Sequence, residues 1–327
     1  MDINSVKEYL GECWTAVSER IVRSLDSDIS LLNATNSSIL SHSGKQLRPV
    51  LALLFARVCS GGQTTEATVR YAAAAELLHN ATLLHDDVAD ESEQRRGAPT
   101  IMSLMGPSVS VLIGDYWLVK AMELILGDGQ SDGRVIKIFS KTLSDLAEGE
   151  MLQLQKAQSG DTDEKDYLRI IYSKTASLFE AACLSAAVSV SAPEEYEVAA
   201  REYAVALGKA FQIKDDILDY DGTESVGKPL GVDILEQKIT MPLLGAMHNA
   251  GPSQEAEVRA MVKDIAAHPE YRDEIVSFVK SNGGLEYAVA ALDEYVDMAV
   301  RALEVFPDSF ERTCLVDLAH FTAKRKK

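Results

Sequence analysis

Along most of the chain the apolar residues return every three or four positions, the period of one face of an α-helix. The interruptions are short groups rich in Gly and Pro at 61–62, 97–99, 127–133 and 222–231. Strand signals are weak: the run VSVSA is short and sits among alanines, and no Asn-Gly or Asp-Gly pair is flanked by alternating residues. The stretch 63–96 contains neither Gly nor Pro and is rich in Ala, Leu and Glu, which predicts a single helix of about nine turns. A second long helix is predicted from about 194 to 221, tolerating Gly208, and GTESVGKPLGVD reads as a loop. No low-complexity linker and no repeat of fixed period divides the chain, so residues 1–327 are expected to form one all-α domain.

Composition narrows the class. With 46% hydrophobic residues in 327, the chain has ample material for a buried core. The four cysteines, Cys13, Cys59, Cys183 and Cys314, are widely spaced and form no CxxC pair, so reduced, buried thiols are expected. The opening MDINSVKEYLGECW carries acids where a secretory signal needs a basic start and an apolar run, and no later segment reaches the roughly 18 apolar residues of a membrane span. A cytoplasmic protein is expected. The net charge of −18 speaks against nucleic acid as a partner, since that requires a basic face. An anionic substrate would have to be met by a local group of bases or by metal ions.

Two acidic motifs recur. HDDVADESEQRRG contains Asp86, Asp87 and Asp90, KDDILDYDG contains Asp215, Asp216 and Asp219, and both spell DDxxD. At 3.6 residues per turn Asp86 and Asp90 share a helix face, as do Asp215 and Asp219, so each helix offers two carboxylates to one side. Like charges at that spacing favour a neutralising cation. Magnesium suits carboxylate oxygens in a polar cleft, where one or two of them hold it together with substrate phosphates. Gln212, Asp215, Asp216 and Asp219 form a polar stripe on an otherwise apolar helix, which suggests a wet surface, and His79 lies two turns before Asp86 on the same face. Cations for a diphosphate are available in Lys45 and Arg48 of GKQLRP, one helical turn apart, and in Arg95 and Arg96, where Gly97 should end the first helix. Lys174 and Lys228 add to them.

GKQLRP, HNATLLHDDVADESEQRRG, GEMLQLQ, KTA, GKAFQIKDDILDY and GKPLGVDILEQKIT occur in the order and approximate spacing of the trans-polyprenyl diphosphate synthases, which the chain resembles over about residues 40–245. The resemblance implies the isoprenoid synthase type I fold, an antiparallel helical bundle around a central cavity, working as a homodimer with the acidic motifs facing each other across the cavity mouth. It also implies that isopentenyl diphosphate is condensed with an allylic diphosphate, farnesyl or geranylgeranyl, to give an all-trans polyprenyl diphosphate and pyrophosphate. By motif position, Asp86, Asp90 and Asp215 would hold magnesium with Asp219 nearby, and Arg95, Lys174 and Lys228 would bind the allylic diphosphate. Lys45, Arg48, His79 and Arg96 would hold isopentenyl diphosphate, and Thr175 and Gln212 would sit beside the reacting carbons. EQK at 236–238 replaces the more usual EGK and leaves Lys238 in place to bind substrate.

The growing tail should pass along the helix that carries the first motif. In this family bulky aromatics just before that motif stop growth early, whereas Ala81 and Thr82 are small and leave the path open here, with Leu78 as a partial stop, which predicts a product beyond the farnesyl and geranylgeranyl lengths. Such a product suggests peripheral contact with a membrane at release. A class I terpene cyclase would carry a different second motif and need no isopentenyl site. A silent subunit of a heteromeric synthase would usually have lost acidic motifs that this chain keeps.

Overall fold

Small polar side chains mark where helices begin. Thr65 Oγ1 accepts the Thr68 N–H at 3.1 Å while Thr68 Oγ1 accepts the Thr65 N–H at 3.0 Å, and Asp163 accepts the Asp166 N–H at 2.7 Å. Prolines 107 and 252 open helices where a missing N–H costs nothing. In the computed structural model, which describes residues 3–95, 97–127, 132–221 and 230–325, the helices are α1 (Ile3–Ser24), α2 (Ser30–Ser41), α3 (Leu47–Ser60), α4 (Glu66–Ala89), α5 (Ile101–Met105), α6 (Pro107–Leu126), α7 (Gly133–Ser159) and α8 (Glu164–Ile171). A single π-helical turn, Tyr172–Ala176, leads into α9 (Ser177–Ser189), followed by α10 (Glu194–Asp221), α11 (Val232–Leu235), α12 (Met241–Ala250), α13 (Pro252–Lys263), α14 (Tyr271–Ser281), α15 (Gly284–Ala302) and α16 (Phe310–Lys324). The protein is all-α, as its periodicity predicts. Among the described residues no helix is long and apolar enough to cross a membrane.

The long helix expected over 63–96 is shorter. It ends at Ala89, and a two-stranded antiparallel ribbon, β1 (Gln94–Arg95) and β2 (Ala98–Pro99), follows around Gly97 at φ 78°. The physical reason lies in DDVADESE: acids near a helix C-terminus oppose the negative end of its dipole, and α4 has no basic residue in its last turn. Asp90 caps the helix with its N–H still on the Asp86 carbonyl at 2.8 Å, Glu91 takes φ 50°, and the chain turns back. The second long helix runs over Glu194–Asp221, as expected.

Packing divides the chain into two compact units. The first comprises Met1–Ser140, Ala181–Ala200 and Val305–Leu315, the second Lys141–Glu180, Arg201–Glu304 and Val316–Lys327. In the first, α4 packs mainly against α6, with α1 and α3 also against it. Gly114 of α6 permits that approach, since an added Cβ would clash with the edge of the His85 ring. Residues 50–56 of α3 are fully buried, and the α1–α3–α16 junction is tied by Glu311, which accepts from Tyr9 Oη at 2.5 Å and Arg57 Nε at 3.0 Å. In the second unit α12 is the central element, contacting α13, α14 and α15. Gly245 and Gly284 lie where a Cβ would strike Tyr287 and the Pro242 carbonyl. None of the four cysteines is in a disulfide, and burial, reinforced by Glu197, pushes the Cys59 thiol up to about 12, so it stays protonated and inert.

Candidate active site

In the first unit the acidic motif occupies the end of α4. Asp86 is half-buried, Asp90 is exposed at the helix cap, and Asp87 between them is buried. Burial raises Asp87, and the guanidinium of Arg95, whose Nε donates to its Oδ1 at 2.7 Å, opposes that shift. The ribbon after α4 therefore folds Arg95 back onto the motif. Its neighbour Arg96, also predicted for the site, lies outside the described residues. His79 is half-buried two turns before Asp86, and its carbonyl accepts from Thr82 Oγ1 at 2.8 Å. Leu78 and Ala81 are completely buried and Thr82 half-buried.

Lys45 and Arg48 are not on one helical turn as expected. Helix α3 starts at Leu47, so Arg48 is in its first turn while the exposed Lys45 precedes it. Between them Gln46 adopts φ 54°, a left-handed conformation that redirects the chain, and its side chain accepts from Lys7 Nζ at 3.1 Å. Lys7 was not legible as a neighbour of GKQLRP; it comes from α1.

In the second unit the KTA segment forms the π turn, with the Ser177 N–H reaching back to the Tyr172 carbonyl, five residues away. Isolated π turns are often found at functional sites. Two glycines crowd this one: a Cβ on Gly149 would meet Ser173 Cβ at 2.5 Å, and one on Gly208 would meet Ala176 Cα at 2.5 Å. The long helix α10 tolerates Gly208 because only hydrogen fits there. The close approach lets Thr175 Oγ1 donate to Gln212 Oε1 at 2.8 Å, linking the two residues that the resemblance sets beside the reacting carbons. Lys174 Nζ pairs with Glu150 of GEMLQLQ at 2.5 Å.

The second motif divides into three environments. Asp215 is paired at 2.8 Å with Arg325, which also donates to the Phe211 carbonyl at 2.7 Å. Asp219 accepts the backbone N–H groups of Val232 and Asp233, at 3.1 and 3.2 Å, at the start of α11. Asp216 is 2% exposed, which corrects the expectation of an unbroken wet stripe: Tyr167 Oη donates to its Oδ2 at 2.5 Å and Gln212 Nε2 to its Oδ1 at 3.0 Å. Burial and the Asp233 carboxylate push Asp216 well up, against the pull of those two donors. Lys238 pairs with Glu236, while Lys228 lies outside the described residues.

Among the described residues no three His, Cys, Asp or Glu side chains converge into a ready-made cage. The donor set still fits magnesium, which is commonly held by one or two carboxylates with waters and substrate phosphates. Asp215, already drawn to a cation in Arg325, is such a carboxylate. Tyr167 escaped sequence reasoning because a lone tyrosine carries no motif, whereas Glu150 stood in GEMLQLQ without a role assigned to it.

Comparison with known proteins finds relatives over the whole length of the chain. The chain is 37% identical over 328 residues to octaprenyl diphosphate synthase of Escherichia coli, with 100% of both chains covered. It is 36% identical to the all-trans-nonaprenyl-diphosphate synthase of Rhodobacter capsulatus, over 95% of this chain and 94% of that one. The crystal structure of a decaprenyl diphosphate synthase from Rhodobacter capsulatus superposes with a TM-score of 0.91 at 36% identity, covering 100% of both chains. A Caulobacter crescentus polyprenyl synthase, complexed with calcium and isoprenyl diphosphate, gives 0.91 at 33% identity over 100% of this chain and 98% of that one. These solved structures share the all-α isoprenoid synthase fold. With the polyprenyl synthetase family model matching residues 29–279 in addition, the chain belongs to the polyprenyl synthetase family.

Proposed function

We propose that this protein condenses isopentenyl diphosphate with an allylic diphosphate, farnesyl or geranylgeranyl, head to tail, and repeats the step to a medium or long all-trans polyprenyl diphosphate. The observation that carries the proposal is full-length similarity to octaprenyl and nonaprenyl synthases in a chain that keeps both DDxxD motifs.

Asp86, Asp90 and Asp215 would hold magnesium, with Asp219 beside them, a reading supported by the divalent cation and isoprenyl diphosphate bound in the Caulobacter crescentus relative. When bound, the metal supplies Lewis-acid stabilisation of the departing pyrophosphate. Arg95, Lys174 and Lys228 grip the same leaving group, so that its negative charge grows among fixed donors. Lys45, Arg48, His79 and Arg96 orient isopentenyl diphosphate so that its double bond meets the allylic carbon, with Lys238 as a further substrate contact. The carbon–oxygen bond breaks with its electron pair leaving on pyrophosphate, the isopentenyl double bond forms the new carbon–carbon bond, and the proton then lost passes to the released pyrophosphate. Thr175 and Gln212 face the reacting carbons, Ala81 and Thr82 leave room for the tail, and Leu78 narrows its path. A homodimer working in the cytoplasm and delivering product at a membrane surface completes the proposal.

A second reading has a specific observation behind it. The chain is 32% identical to a Geobacillus stearothermophilus protein named heptaprenyl diphosphate synthase component 2, which favours asking whether another subunit is needed. Incubating the purified chain alone with labelled isopentenyl diphosphate, farnesyl diphosphate and magnesium separates the readings. Metal-dependent products longer than geranylgeranyl diphosphate are expected. No incorporation with any allylic primer would remove the self-sufficient synthase.

A further inference from the structure

Gln212 can orient Thr175 only if its own amide is held, and the structure shows what holds it. Tyr167, 3% exposed on α8, donates to Asp216 Oδ2, and Asp216 Oδ1 accepts from Gln212 Nε2. With the amide nitrogen turned to Asp216, its oxygen is left facing Thr175 and accepts the hydroxyl proton. A proton shared between Tyr167 Oη and Asp216 Oδ2 leaves Oδ1 an acceptor, so the amide keeps its direction in either case. The Thr175 hydroxyl hydrogen is thereby spent on Gln212, and the lone pairs of Oγ1 are what the residue presents elsewhere.

We propose that Tyr167 and Asp216 are positioning residues for prenyl transfer: they fix the Gln212 amide so that Thr175 turns oxygen lone pairs, not a proton, toward the allylic carbons. This rests on the assignment of Thr175 and Gln212 to the reacting carbons. A fixed negative dipole end stabilises the carbocation that develops when pyrophosphate leaves, and a freely rotating hydroxyl would average that effect away. Neither Tyr167 nor Asp216 need touch substrate. Their influence belongs to the chemical step and not to diphosphate binding.

The test measures kcat and both substrate KM values for Tyr167→Phe, Thr175→Val and the double variant. Tyr167→Phe should lower kcat about tenfold, with both KM values within about twofold. Thr175→Val should lower kcat at least as much, and adding Tyr167→Phe to it should cost nothing further, because both break one chain of hydrogen bonds. A slow Thr175→Val enzyme beside a Tyr167→Phe enzyme of normal kcat, or losses that multiply in the double variant, would overturn the relay alone. Normal kcat in Thr175→Val would overturn the site assignment and the relay with it. Should Tyr167→Phe lose its cooperative thermal transition, Asp216→Ala replaces it, with the same kcat loss and the same non-additivity with Thr175→Val expected and normal kcat overturning the proposal.

Discussion

At position 237 the backbone takes φ 58°, where glycine is at home and an L side chain costs about 1–2 kcal/mol. Here Gln237 Nε2 donates to the Lys263 carbonyl at 2.9 Å. That bond is worth about 1 kcal/mol and offsets the strain. Gln237→Gly should therefore be nearly neutral, while Gln237→Ala, which keeps the strain and loses the bond, should be less stable by about 1 kcal/mol in urea unfolding. Ala81 makes a different test. It is completely buried on α4, so Ala81→Phe should cost about 1–3 kcal/mol from overpacking and shorten the product, read by chromatography of the prenyl chains. An unchanged product spectrum would place the floor of the tail path elsewhere. What was legible at this scale were residues whose chemistry repeats as a motif. Tyr167 was not, because a tyrosine 49 positions from its carboxylate looks like any other in sequence.

Elements were legible where periodicity ruled and less so where electrostatics ended them. Helix α10 matches its expected span because its interior favours helix and Gly208 is excused by packing against Ala176. Helix α4 stops early because composition alone ignores its acidic C-terminal end, and the reversal that follows is what lets Arg95 reach Asp87. The junction of α1, α3 and α16 carries a pH-dependent term. Burial would raise Glu311, but the hydrogen bond from Tyr9, that of its own backbone and the bond and charge of Arg57 hold it below the usual carboxylate value. A depressed folded-state value contributes stability above about pH 4.3, the ordinary glutamate pKa, and loses it as pH falls through the folded value. Glu311→Gln should be less stable than the parent by about 2 kcal/mol at neutral pH, and the gap should close toward pH 3, as followed by denaturation at a series of pH values.

Over the whole molecule, 50 acidic side chains face 32 basic ones, so its own charge works against compaction and toward cations. Magnesium should raise the melting temperature by about 5 °C beyond sodium chloride of equal ionic strength at saturating concentration, and Asp86→Ala with Asp215→Ala should abolish the excess. Equal shifts in parent and variant would assign the effect to general screening. The helical class was visible from periodicity, but the two compact units were not, since each is assembled from three separate segments and no linker announces either. The π turn at Tyr172–Ala176 has a consequence for how related chains may differ. It is one residue too many for a regular helix, so a deletion there would leave a regular α turn with the flanking helices in phase, but would displace the side chains within the turn itself. Thr175 and the alanine that meets Gly208 would then face other neighbours. Length in this stretch is therefore under tighter constraint than identity, and chains that keep the reaction should vary their residues here before they vary their number.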